Sequence, residues 1–264
     1  FPDQFSPYHQ LFGCDMTSNS TFHFGGTLFR LPFRTTEQAQ ESEISQEPYT
    51  RDNVYHLIKS LKDSALTLLL FAQNVIEVHV FEIRKNSTPK ESLGRPIITI
   101  TKSVEKIKYT NITEGTMLQN SSNWLKNQPS GVKASSDAPR RTDLLKMNVS
   151  MVKSDLSDVS ELNEIEDMWL VNSCTGRGSS FEVARSVDGK RNGVVPVTGI
   201  AAKMTHSDVL GAKISSVTGE VFCFMPLSIE SGFPVHVNGS FSIYSNRWRL
   251  WEHGVGEHQS FKPF

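Results

Sequence analysis

Residues 51–83, RDNVYHLIKSLKDSALTLLLFAQNVIEVHVFEI, decide the fold. Val54, Leu57, Ile58, Leu61, Ala65, Leu68 and Leu69 recur at i, i+3, i+4 and i+7, the repeat of one helical face. The spacing predicts a helix over 51–73. Thr50 offers an oxygen to cap its first turn, and Asp52 suits the positive end of the dipole. Asn74 is a sensible stop. Leu66 and Leu70 widen the apolar surface toward the C-terminal end, which is therefore expected to be the more buried. From residue 76 the pattern changes. Residues 76–83 are rich in β-branched side chains and read as a strand.

Outward from this helix, strands dominate. Residues 96–103 carry Ile97, Ile98 and Ile100. Leu145, Met147, Val149 and Met151 alternate with polar residues, as in a half-buried strand. Residues 168–171, 194–204 and 221–225 are further strand candidates. A short helix is expected at 180–187, with Gly189 just past its end. Asn238-Gly239 between two alternating runs predicts a tight hairpin over 234–244. Upstream, residues 27–34 read as a strand, placed at a sheet edge or bulge by Pro32. Residues 35–50 are polar and read as a linker, and 86–94 as a turn region. Residues 110–142 are rich in Asn, Ser, Gly and Pro and read as a long exposed, flexible insertion. One strong helix, one short helix and about seven strands make an α/β (mixed α+β) layered fold.

The chain has 264 residues, enough for one large domain or two smaller ones. Its 38% hydrophobic residues suffice for a core. With 27 basic and 28 acidic residues, net charge −1, no basic excess exists to neutralise a phosphate backbone. Nucleic acid is therefore not expected as a partner. No run approaches the ~20 apolar residues of a membrane span; the longest, 65–72, is broken by Thr67. Phe1-Pro2-Asp3-Gln4-Phe5 lacks the basic start and apolar middle of a signal peptide, so a segment cut from a longer protein is expected. Cys14, Cys174 and Cys223 are odd in number and far apart, which predicts buried free thiols in a reducing compartment.

Few motifs carry chemistry. Thr175-Gly176-Arg177-Gly178-Ser179 reads as a plain turn rather than an anion nest. The acidic run within 154–167 reads as a solvated connector and does not fit a calcium loop. His253 and His258, with Glu252 and Glu257, are a weak metal pattern. His79 and His236 fall in strand patterns and read as ordinary hydrogen-bonded residues. Arg247 and Arg249 interleave with Trp248 and Trp251, which suits either a partner surface or a closed sheet face. Glycosylation sequons at Asn19, Asn86, Asn111, Asn120, Asn148 and Asn238 keep one minor class open, a secreted β-rich binding module. A glycan mass shift would mark it.

Longer motifs carry a resemblance. Phe5-Ser6-Pro7-Tyr8, Leu11-Phe12-Gly13-Cys14 and the run from Gly26-Thr27 through Phe33-Arg34 are similar to the sacsin repeat. Val221 to Leu227, Gly232 to Phe241, Ser245-Asn246-Arg247 and Leu250-Trp251 resemble the same repeat further along. The resemblance implies an incomplete Hsp90-type ATP-binding domain edge over 1–45, then a middle-domain-like α/β region over 46–264. Gly26 and Thr27 match the Gly-Thr that opens a late strand of such domains, where the Thr lies near adenine. Adenine contact and a plain strand start both remain open for Thr27. The magnesium-binding helix and the Asp-x-Gly-x-Gly loop of the family would lie upstream of Phe1, so ATP and Mg²⁺ are expected only with that part. No catalysis and no metal site are expected of this segment alone. Arg247 or Arg249 is the candidate for a γ-phosphate contact in the whole repeat, since Arg stabilises developing phosphate charge. The resemblance further implies a cytoplasmic chaperone or co-chaperone. Its partners would be Hsp70-type machinery, client proteins and neighbouring repeats. A structural scaffold repeat without nucleotide response is the alternative.

Overall fold

A computed structural model describes residue 11 and residues 25–83, 95–110, 115–128, 137–154, 163–205, 214–241 and 243. The fold is mixed α/β, as the pattern of elements predicts. Helix α1 spans Thr36–Gln40 and α2 spans Arg51–Ser64. Strands β1 (Glu77–Val80) and β2 (Ile98–Thr110) follow, then α3 (Met117–Asn127), β3 (Arg140–Met151) and β4 (Asn163–Thr175). Helices α4 (Ser179–Arg185) and α5 (Val187–Arg191) lead into β5 (Val197–Met204), β6 (Glu220–Cys223), β7 (Met225–Glu230) and β8 (His236–Asn238). The strands form one sheet in the order β1-β2-β3-β4-β5-β8-β6-β7. β8 lies between an antiparallel neighbour, β5, and a parallel one, β6.

Two compact units divide the chain. The first is Phe1–Asp63, His79–Thr99 and Ser150–Glu164; the second is Ser64–Val78, Ile100–Val149 and Ile165–Phe264. In the first, α2 starts as its sequence directs. The Thr50 N–H donates to Asn53 Oδ1 at 2.7 Å, and the Asn53 N–H donates to Thr50 Oγ1 at 3.4 Å. This reciprocal pair satisfies two donors of the first turn. Arg34 donates to the Ser45 carbonyl at 2.7 Å, and Phe33 stacks on Tyr49 at 4.4 Å. Those contacts fold the 33–49 segment back on itself, and the polar linker expected there contains α1. Thr35 and Gln38 cap α1 reciprocally. The strand expected over 27–34 does not form, and Phe29 and Leu31 are 81% exposed. Pro32 lacks the ladder donor that the middle of a strand needs.

The second unit holds the core. The helix expected to reach residue 73 ends at Ser64. Beyond it, the Ser64 carbonyl accepts from the Thr67 N–H at 3.0 Å, and Thr67 Oγ1 donates to the same oxygen at 3.1 Å. The chain tightens into turns there. Residues 66–71 are apolar on every side but for Thr67, so no single helical face can bury them. As turns they bury Leu69, Leu70 and Phe71, which agrees with the expected burial of this end. Phe71 meets Phe222 edge-on at 5.1 Å.

Three further expectations fail. Part of the exposed insertion expected over 110–142 is helix α3. Thr116 and Gln119 cap it, Met117 and Ser121 are buried, and Ser121 Oγ lies 2.6 Å from Thr175 Oγ1. A hydroxyl pair satisfies itself in the core, so the buried face reads as polar in sequence. The hairpin expected at Asn238-Gly239 does not form either. Asn238 pairs with Gly199 and Phe222, strands distant in sequence, and Gly239 N–H donates to the Phe222 carbonyl at 3.0 Å. Gly189 does not follow the short helix but lies buried within α5.

Candidate functional site

Alternation along the strands gives the sheet two faces. Val171, Thr175, Val197, Ala201, Phe222, His236 and Asn238 point into the core and are buried. Asn172, Cys174, Thr198, Ile200 and Val237 point the other way. Across that outer face Cys174 registers with Thr198, and Ile200 with Val237. With Pro196 and Phe241 these residues line a trough of about 530 Å³. Ile200 is 49% exposed there, so its side chain offers apolar surface to a visitor. Cys174 is a free, half-buried thiol at the same place.

On the core face, His236 sits between Trp169 and Phe222, with ring centroids 5.0 and 5.3 Å away. Its Nδ1 accepts from the Glu220 N–H at 3.0 Å, so the ring proton belongs on Nε2. Burial pushes the imidazole below its ordinary range and pushes the Glu220 carboxyl up. The carboxylate is 4.0 Å from Nδ1. Such a histidine is a structural hydrogen-bonded residue, as its strand position indicates.

Lys102 is a second unusual group. It follows Ile98 and Ile100 at two-residue spacing, and both isoleucines are buried. The strand thus carries its ammonium to the inward side. Nζ donates to the Leu69 carbonyl at 3.0 Å and the Ala72 carbonyl at 2.5 Å. It lines a cavity of about 240 Å³ together with Gln73, Thr116, Arg141, Asp143 and Ser173. Burial lowers its pKa to about 8; the Asp143 carboxylate opposes that shift and the Arg141 guanidinium adds to it. Arg141 Nε is itself paired with Asp143, 2.6 Å away.

Of the residues singled out from sequence, Cys174 lines the trough. Gly26 and Thr27 are exposed in an irregular stretch. Arg247 and Arg249 lie outside the described residues, as do Trp248, Trp251, His253, His258 and Cys14. Of the acidic run, Glu166 and Asp167 lie in β4 and pair with Lys146 and Lys203, each at 2.7 Å. In the 175–179 segment Thr175 ends β4, Ser179 opens α4, and Gly176-Arg177-Gly178 connect them. Asn238 is buried, and its side-chain oxygen accepts a hydrogen bond, so that sequon is closed to a glycan in the folded chain. Among the described residues no helix is long and apolar enough to cross a membrane. Sequence reasoning missed Lys102 and the Ile200–Val237 face. The signal for Lys102 was a lone cation in phase with buried isoleucines.

Comparison with known proteins bears on residues 1–94, which match the family described as Sacsin domain. Human (Homo sapiens) Sacsin is 27% identical over 289 aligned residues, covering 96% of this chain. The chain spans 6% of that protein's own length. No solved structure matches it.

Proposed function

We propose that the chain, which is similar to Sacsin, is a sacsin-type, chaperone-type segment without catalysis of its own. It joins the edge of an Hsp90-like nucleotide domain, 1–45, to surfaces that hold client polypeptide or Hsp70-type machinery in the cytoplasm. The observation that carries this reading is the outer sheet face. Thr198, Ile200, Val237 and Phe241 line a trough of a size that takes apolar side chains of a non-native chain. Gly26 and Thr27 belong, on this reading, to the nucleotide-domain edge, and Arg247 or Arg249 to a phosphate contact in the whole repeat. ATP and Mg²⁺ then bind only with the upstream part.

The test is fluorescence anisotropy of an extended Leu/Val-rich peptide with the purified chain. Burying an isoleucine side chain is worth about 1.5–3 kcal/mol, so Ile200→Asp is expected to weaken binding about tenfold or more. Equal affinity for a polar scrambled peptide sinks the client reading. A scaffold repeat is separated by ATP titration of the upstream-extended chain: no binding there favours the scaffold.

A further inference from the structure

We propose that Lys102 is a covalent modification site whose amine takes an acyl group from a small acyl thioester entering its cavity. Its partners leave room for the neutral form to react. An uncharged Nζ has two N–H donors and one lone pair. The Leu69 and Ala72 carbonyls take both donors, at 3.0 and 2.5 Å. The lone pair is left for an electrophile. A cavity of about 240 Å³ admits an acetyl-sized group beside it. The charged groups lining that cavity are Arg141 and Asp143, which are largely spent on each other. A free amine near neutral pH is the form in which a lysine acts as nucleophile, and burial supplies it here, with a pKa of about 8.

The step balances without a further reagent. The Nζ lone pair attacks the thioester carbonyl carbon and a C–N bond forms. The C–S bond breaks, and the sulfur leaves with its electron pair. The proton lost from nitrogen is taken up by the departing thiolate. The resulting amide keeps one N–H where the amine had two. Either the Leu69 or the Ala72 carbonyl then loses its bond from Nζ, and the turn carrying Leu69, Leu70 and Phe71 loosens.

The experiment incubates the whole chain with N,S-diacetylcysteamine and measures acetylation of each lysine by mass spectrometry across pH 6–10. At pH 8 about half of Lys102 is neutral against about 0.3% of an ordinary lysine. Lower basicity weakens the nucleophile and offsets about tenfold of that ratio, as it does for thiols. Lys102 is therefore expected to react roughly tenfold faster at pH 8 than the exposed Lys59, Lys126 and Lys190. Its rate should level off above about pH 8. Asp143→Asn removes the carboxylate that favours the ammonium and should speed Lys102 severalfold at pH 7. Lys102→Arg should delete this one modified peptide and leave the rest. A Lys102 rate equal to the exposed lysines at pH 8, or still rising up to pH 10, overturns the proposal. An Asp143→Asn chain that reacts no faster does so too.

Discussion

Asn238→Ala tests how β8 is held inside the sheet. Asn238 is 3% exposed, and its Oδ1 accepts from the Phe224 N–H at 2.8 Å. Phe224 joins β6 to β7 with φ at +61°, a region that costs a bulky residue roughly 1–2 kcal/mol. The Asn238 amide stands in for the partner that the sheet ladder cannot give this turn. Removing it strands a part-buried N–H. An unsatisfied buried donor costs about 1–3 kcal/mol, and partial exposure here places the loss at about 1–2 kcal/mol. Phe224→Gly relieves the positive φ, so a Gly at 224 should lean less on Asn238. The two changes together are expected to cost less than their sum by about 0.5–1 kcal/mol. Urea denaturation of the four chains at constant m-value measures both quantities. An Asn238→Ala loss below about 0.5 kcal/mol, or strict additivity, would refute this account.

His236 makes stability depend on pH. Its folded pKa lies below the unfolded value of ~6.5, so the unfolded chain takes the proton first. That stability is full above about pH 6.5 and falls as the pH drops toward the lower folded value. Glu220 works in the opposite direction, because its raised pKa adds stability as the pH falls through that value toward 4.5. Urea midpoints between about pH 6.5 and 5.5 should decline in the native chain and flatten in His236→Gln; parallel slopes would disprove the assignment. Gly219→Ala should destabilise by about 1–3 kcal/mol, because its Cβ would overlap the Val235 and Phe233 carbonyl oxygens. Thermal or urea unfolding no different from the native chain would show that the 231–235 crossing gives way.

The sequence was most legible where one periodicity ran unbroken. Val54, Leu57, Ile58 and Leu61 gave α2 and Thr50 its cap, and the alternation of 145–151 gave β3. It misled where tertiary structure outweighed a local preference. Residues 66–71 read as helix because each is compatible with one, but their apolar surface, interrupted only by Thr67, is buried better as turns. Helix α3 was hidden because its core-facing Ser121 is polar and is satisfied by Thr175, 54 residues away. The trough was not legible, since Ile200 and Val237 become neighbours only through the β5–β8 register. Lys102 was legible in principle, as a charge in phase with Ile98 and Ile100.

The Asn-Gly dipeptide shows most directly how context chooses among local options. A hairpin at 238–239 would pair residues 234–237 with those that follow. The chain instead reaches 236 by leaving β7 and crossing the start of β6. There the Gly219 N–H donates to the Phe233 carbonyl at 3.1 Å, and the Ser231 N–H donates to the Gly219 carbonyl at 2.8 Å. Only a residue without a side chain allows that close a crossing. Once across, His236 and Asn238 are committed inward, one bonded to Glu220 and the other to Phe224. Val237 between them must then face outward, in register with Ile200. The apolar trough is thus a consequence of the crossing: what seats two polar side chains in the core also turns an aliphatic one toward solvent.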